Sequence, residues 1–171
     1  TSINTDQMSR TTAPINMDPT DVNRLIVVSY NLHGFNQGVV GINELITTLS
    51  PDVIALQEHW LIPDNLYKLS ELSNNYFMCG SSSMTDCLAS GPLIGRPFGG
   101  TAFLINKALI NHTVRLVSND RFTAVLIDSS LEWRHKCHSR FAIIFIAVKA
   151  INTPARGILL LKIKITEITF D

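Results

Sequence analysis

The chain has 171 residues, long enough for one domain with a sizeable core. It is 46% hydrophobic and only 16% charged, which argues against a disordered chain. Its 14 basic and 14 acidic residues balance, so no bulk charge draws it to DNA, RNA or anionic lipid, and any nucleic-acid binding must come from a local site or a divalent cation.

In chain order, residues 1–22 are rich in Thr, Ser, Asn and Pro and read as a flexible lead without the apolar core of a signal peptide. Leu25 to Tyr30 of "RLIVVSYN" reads as a strand rich in branched residues, followed by the turn-rich "LHGFNQG". In "GVVGINELITTLSPD", Ile42, Leu45, Ile46 and Leu49 fall at i, i+3, i+4 and i+7, the apolar stripe of an amphipathic helix that Pro51 limits. Val53 to Leu56 is the next strand. This strand–helix–strand order predicts two parallel strands joined by a right-handed crossover, with both C-terminal ends on one sheet edge. Open α/β sheets bind ligands at such an edge. Asn31 follows the first strand and Glu58 the second.

"IPDNLYKLSELSNN" reads as a short helix capped by Asp64, and "YFMCG" as a strand. "SSSMTDCLASGPLIGRPFGG" reads as one long loop. Thr101–Ile105, Thr113–Val117 and Thr123–Ile127 read as three more strands. After Leu131 the text changes: the basic "EWRHKCHSR" is followed by the apolar "FAIIFIAV", too short to span a bilayer, and by the alternating "GILLLKIKITEITFD". The three cysteines, Cys79, Cys87 and Cys137, form no CxxC pair, which favours a reduced, intracellular setting; a Cys79–Cys87 disulfide is the alternative.

Glu58 is either a surface glutamate at a strand end or a ligand for a hard cation such as Mg²⁺, which takes one or two carboxylates and leaves the rest to water and phosphate. Asn31 either stabilises a turn or orients a phosphate, a water or Glu58 itself. His59 adjoins Glu58, but neighbouring strand residues point to opposite faces, so it is expected to face away. "HKCH" lacks structural zinc spacing and reads as a solvated loop. Arg96 and Arg121 are candidate phosphate contacts or ordinary surface residues.

"SYNLHG" and "PDVIALQEHW", about 27 residues apart in strand–helix–strand order, together resemble the start of the endonuclease/exonuclease/phosphatase superfamily. Asn31, Gln57 and Glu58 match its opening Asn and Gln-Glu; "GRPFGGTAFLI" and "NDRFTAVLI" resemble its next two strands. The wording "LQEHWL" with "GRPFGG" looks most like the endonuclease domains of non-LTR retrotransposons. The resemblance implies a Mg²⁺-dependent phosphodiesterase acting on DNA, with Glu58 and Asn31 in the metal and phosphate site. It also implies an α/β fold, here a partial four-layer α/β sandwich of mixed β-sheets flanked by helices, over residues 23–130. The family's later motifs, a catalytic Tyr, Gly-Asp-x-Asn and Ser-Asp-His, are absent: the one Asp-x-Asn, Asp21 to Asn23, lacks the Gly and precedes the first strand, and after Asp128 the only Asp is Asp171. By position the Tyr would fall near Lys149. The expectation is a truncated domain, weak or inert as a nuclease, with residues 131–171 divergent and uncovered apolar faces open to self-association. A non-enzymatic remnant, or a phosphatase or other nuclease of the same superfamily, is the alternative.

Overall fold

The computed structural model describes residues 25–128, 140–148 and 161–168. Strand β1 (Val27–Asn31) leads into helix α1 (Phe35–Leu49) and strand β2 (Val53–Gln57). There follow a 3₁₀ turn at Pro63–Asn65, the single turn α2 (Tyr67–Ser70), β3 (Tyr76–Ser81) and the short helix α3 (Thr85–Ala89). The remaining elements are β4 (Thr101–Asn106), a 3₁₀ segment at Lys107–His112, β5 (Thr113–Ser118), β6 (Phe122–Asp128), β7 (Arg140–Val148) and β8 (Leu161–Ile168).

The strands form two four-stranded sheets, ordered β1-β2-β4-β3 and β5-β6-β7-β8. β1 and β2 are parallel, as the intervening helix predicts, while β4 runs antiparallel to both β2 and β3. The second sheet is antiparallel throughout. α1 stops at Ser50, which is left-handed (φ 42°) ahead of Pro51 and donates its N–H to Ile46 O. Asp52 then ties the start of the next strand to the first: its Oδ2 accepts from Ile26 N at 2.7 Å, and its own N–H donates to Ile26 O.

All five residues of β2 are buried, so the strand shows no hydrophobic alternation. On one face, Ile54, Leu56, Ala102 and Leu104 meet Ile42 of α1 and Leu69 of α2. On the other, Val53, Ala55, Phe103 and Ile105 meet Val125 and Ile127 of β6. Helices, first sheet and second sheet are thus stacked, an α/β architecture of mixed sheets flanked by helices. α1 approaches β1 closely at Gly38, where a Cβ would lie 2.8 Å from Leu32 Cα. On the edge strand β5, Val114 and Leu116 are 55% and 46% exposed, so this strand leaves apolar surface in water.

Two local expectations differ. Asp64 caps no helix: Ile62 is the cap residue of a 3₁₀ turn with Pro63 at its start, and α2 is one turn long. The stretch expected as a single loop contains α3. Among the described residues no helix is long and apolar enough to cross a membrane.

The register places one residue from each strand of the first sheet in a row at the C-terminal edge of β1 and β2: Asn31, Gln57, Thr101 and Ser81. Two residues down, the equivalent row is Ser29, Ala55, Phe103 and Cys79; a further two down it is Val27, Val53, Ile105 and Phe77. The face toward the second sheet therefore grades from apolar to polar as it reaches that edge.

Candidate functional site

Beyond this polar row the two parallel strands continue to run together. Leu32 N donates to Gln57 O at 2.9 Å, Gly34 N to Glu58 O at 2.8 Å and Phe35 N to His59 O at 2.9 Å. Asn31 is exposed, and its Oδ1 accepts from His33 N at 2.9 Å, an Asx turn that orients the amide. Register sets Asn31 beside Gln57, so Glu58 is the next residue along the neighbouring strand end.

Glu58 has left the strand conformation, with φ 55°. His33 (φ 51°) and Trp60 (φ 54°) share this left-handed state. Three of the four described non-glycine residues with positive φ, Ser50 being the fourth, therefore gather at this one edge. Each such residue costs on the order of 1–3 kcal/mol and persists only where its surroundings over-determine it. Here they do. Glu58 N donates to Gly100 O and Trp60 N to Gly99 O, each at 2.9 Å. The Glu58 carboxylate receives two donors on one oxygen: Oε2 accepts from Trp60 Nε1 at 2.9 Å and from Gly99 N at 3.2 Å. The Trp60 ring is tilted against His33, centroids 4.9 Å apart, and lies over Gly34, where a Cβ would come within 2.7 Å of a ring carbon. Gly34 also has φ 97°, so both its space and its backbone require glycine.

His59 is fully buried and braces the same edge from inside. Its Nδ1 accepts from Leu61 N at 3.0 Å, so the proton of the neutral ring sits on Nε2 and is donated to Ser81 O, also at 3.0 Å. Burial lowers its pKa to about 4, against the opposing pull of the Ser81 carbonyl. Strand alternation is not the reason it is unavailable for chemistry, because the strand ends at Gln57; both ring nitrogens are committed to backbone groups. Its ring fills the space that a Cβ on Gly100 would need, 2.2 Å away.

Gln57 is also buried. Its Nε2 donates to Ala55 O at 3.2 Å and to Ser29 Oγ at 3.4 Å, while Oε1 has no partner among the described residues. Facing this row, Thr101 Oγ1 meets Thr123 Oγ1 of β6 at 3.0 Å. The β5–β6 turn is pinned here as well: Ser81 Oγ donates to Asn119 O, and Ser83 Oγ donates to Asp120 O at 2.6 Å while accepting from Gly100 N at 2.7 Å. Arg121 stands on that turn, its side chain 81% exposed, with Asp120 3.9 Å away. Arg96 is exposed on the loop that reaches Gly99. A polar pocket of about 360 Å³ opens between this turn and β3, lined by Ser81, Ser82, Asp86, Arg115, Asn119 and Asp120. Another, of about 400 Å³, lies between α1 and α2 and includes none of these residues.

The oxygens this edge would offer a cation are Glu58 Oε1, which takes part in none of these hydrogen bonds, and the second lone pair of Asn31 Oδ1. No group of three or more His, Cys, Asp or Glu side chains comes together among the described residues. That donor set fits a hard cation that keeps most of its water and takes substrate phosphate, and does not fit a closed structural site. Cys79 and Cys87 are free thiols; burial pushes the Cys79 thiol up, partly offset by the Arg115 guanidinium. His135, Cys137, His138 and the position near Lys149 lie outside the described residues. Trp60, Gly34 and the Gly99–Gly100 pair are parts of the site that the sequence signalled only as the words "HGF", "EHW" and "FGG".

The profile of the Endonuclease/Exonuclease/phosphatase family matches residues 28–157, most of the chain. The chain belongs to that family. The match begins within β1 and extends past Leu131 to take in β7. Comparison with curated protein sequences finds no match. Similar solved structures include the 3′ phosphatase NExo from Neisseria bound to a product DNA hairpin, at 14% identity and a TM-score of 0.39, covering 73% of this chain and 38% of that one. D. rerio TDP2 complexed with a single-strand DNA product is 19% identical with a TM-score of 0.34, covering 72% of this chain and 41% of that one. The human Nocturnin catalytic domain with bound sulfate is 15% identical with a TM-score of 0.34, covering 71% of this chain and 43% of that one. The chain thus spans about two fifths of each of these structures.

Proposed function

We propose that this chain carries the cation-and-phosphate half of a Mg²⁺-dependent phosphodiesterase site whose substrate is DNA. The observation that carries the reading is the end of β2, where Glu58 is held in a left-handed conformation with Oε2 clamped by two N–H donors and Oε1 left over. In this reading Glu58 is the carboxylate ligand of the cation. Asn31, its oxygen fixed by His33 N, directs its amide hydrogens at a phosphate oxygen. Arg96 and Arg121 add phosphate contacts that position a strand without reading its bases. A bound Mg²⁺ would offset charge on the phosphoryl oxygens. The "LQEHWL" and "GRPFGG" wording supports the retrotransposon endonuclease branch of the family.

Hydrolysis also needs a placed nucleophile and a base, and general acid–base catalysis typically contributes about 10²–10⁴-fold. His59, the imidazole nearest Glu58 in sequence, is committed to backbone at both nitrogens. The chain also contains no Gly-Asp-x-Asn. On its own it is therefore a binder rather than an effective nuclease. The test is supercoiled plasmid DNA with and without Mg²⁺. The expected result is Mg²⁺-dependent binding that Glu58→Ala abolishes, with nicking no faster than that of Glu58→Ala. Nicking that Glu58→Ala abolishes would show a complete enzyme, and binding indifferent to both Mg²⁺ and Glu58 would remove the site.

A further inference from the structure

We propose that Trp60 is the positioning residue of the cation ligand: its indole N–H, with Gly99 N–H, holds Glu58 Oε2 and turns Oε1 alone toward the cation. The inference rests on the reading of Glu58 as that ligand. Both donors converge on one oxygen, at 2.9 and 3.2 Å, and no partner occupies the other among the described residues. Hydrogen bonds to a carboxylate are stronger than neutral ones and fix its plane. Outer partners of this kind orient metal ligands, and their loss typically costs about 10–100-fold in metal affinity.

Trp60 is suited to the task because its backbone and ring are themselves held. Its backbone N–H is bonded to Gly99 O at 2.9 Å, its φ is 54°, and its ring is trapped between His33 and the bare backbone of Gly34. The indole has one polar atom, and it is given to the Glu58 carboxylate. Two short stretches far apart in sequence, "HGF" and "FGG", thus serve the same side chain: the first seats the ring and the second supplies the companion donor. A carboxylate held in this way coordinates through one oxygen and does not chelate.

The deciding comparison changes the N–H and nothing else. In the full chain with its second tryptophan changed, Trp133→Phe, the Trp60 indole is replaced by benzothiophene, which has the same shape but sulfur in place of N–H. In a parallel sample it is replaced by 7-azaindole, which keeps the N–H. Mn²⁺ affinity is read from the electron paramagnetic resonance of free Mn²⁺, alongside circular dichroism and the urea midpoint. The expected result is Mn²⁺ binding weakened at least about tenfold by benzothiophene and retained by 7-azaindole, with the fold unchanged in both. Equal affinity in all three forms would overturn the positioning role. Affinity that Glu58→Ala leaves unaltered would instead overturn the assignment of Glu58, a separate outcome.

Discussion

His59 shows how a residue beside a candidate ligand can be wholly structural. Its ring is buried, neutral and bonded at both nitrogens, with a pKa lowered from 6.5 to about 4. The unfolded chain binds this proton below pH 6.5 and the folded chain does not until about pH 4. Stability is therefore complete above pH 6.5 and falls as pH drops toward 4, by about 1.4 kcal/mol per unit. Urea unfolding at pH 7.5 and pH 5.0 is expected to show a loss of about 2 kcal/mol that is missing in His59→Gln, which cannot titrate. An equal pH dependence in the two proteins would contradict the buried neutral ring. The positions of Glu58 and Asn31 at the sheet edge are legible in the sequence because Asn31 ends one recognisable strand and Glu58 follows another. The bracing of His59 and the clamp of Trp60 are not. Both depend on Ser81 and Gly99, which come near only when β3 and β4 fold against β2.

Between elements, the unit from β1 through α1 to β2 is the part that local chemistry declares most completely. Branched residues, a helical stripe and Pro51 agree with one another, and the parallel pairing follows from the crossover. The segment after β2 is less legible because Pro63, Asp64 and the leucines around Tyr67 satisfy a helix pattern over too few residues. Once Leu69 has reached the core the chain turns away after a single turn. Close packing also overrides propensity at Gly38. Alanine there gains about 1 kcal/mol of intrinsic helix preference, but its Cβ would stand 2.8 Å from backbone atoms of Leu32, which cannot rotate away. Gly38→Ala is therefore expected to destabilise the protein by about 1–3 kcal/mol in urea unfolding. A more stable variant would show that α1 does not sit against β1 as described.

Across the whole molecule, the site lies where two parallel strand ends, the Gly99–Gly100 approach to β4, the end of β3 and the β5–β6 turn meet. The row from Asn31 to Ser81 crosses four strands whose order, β1-β2-β4-β3, no periodicity reveals, so the polar mouth between the sheets was not readable in advance. In the function proposed for this mouth the working group is the Glu58 carboxylate, and paramagnetic line broadening tests that most directly. Mn²⁺ titrated into the ¹⁵N-labelled full chain is expected to broaden first the amides of Asn31, Glu58 and Gly99 and the indole N–H of Trp60, and to lose that pattern in Glu58→Ala. Broadening centred on Asp86 and Asp120, with the Glu58 neighbourhood still sharp, would contradict the account.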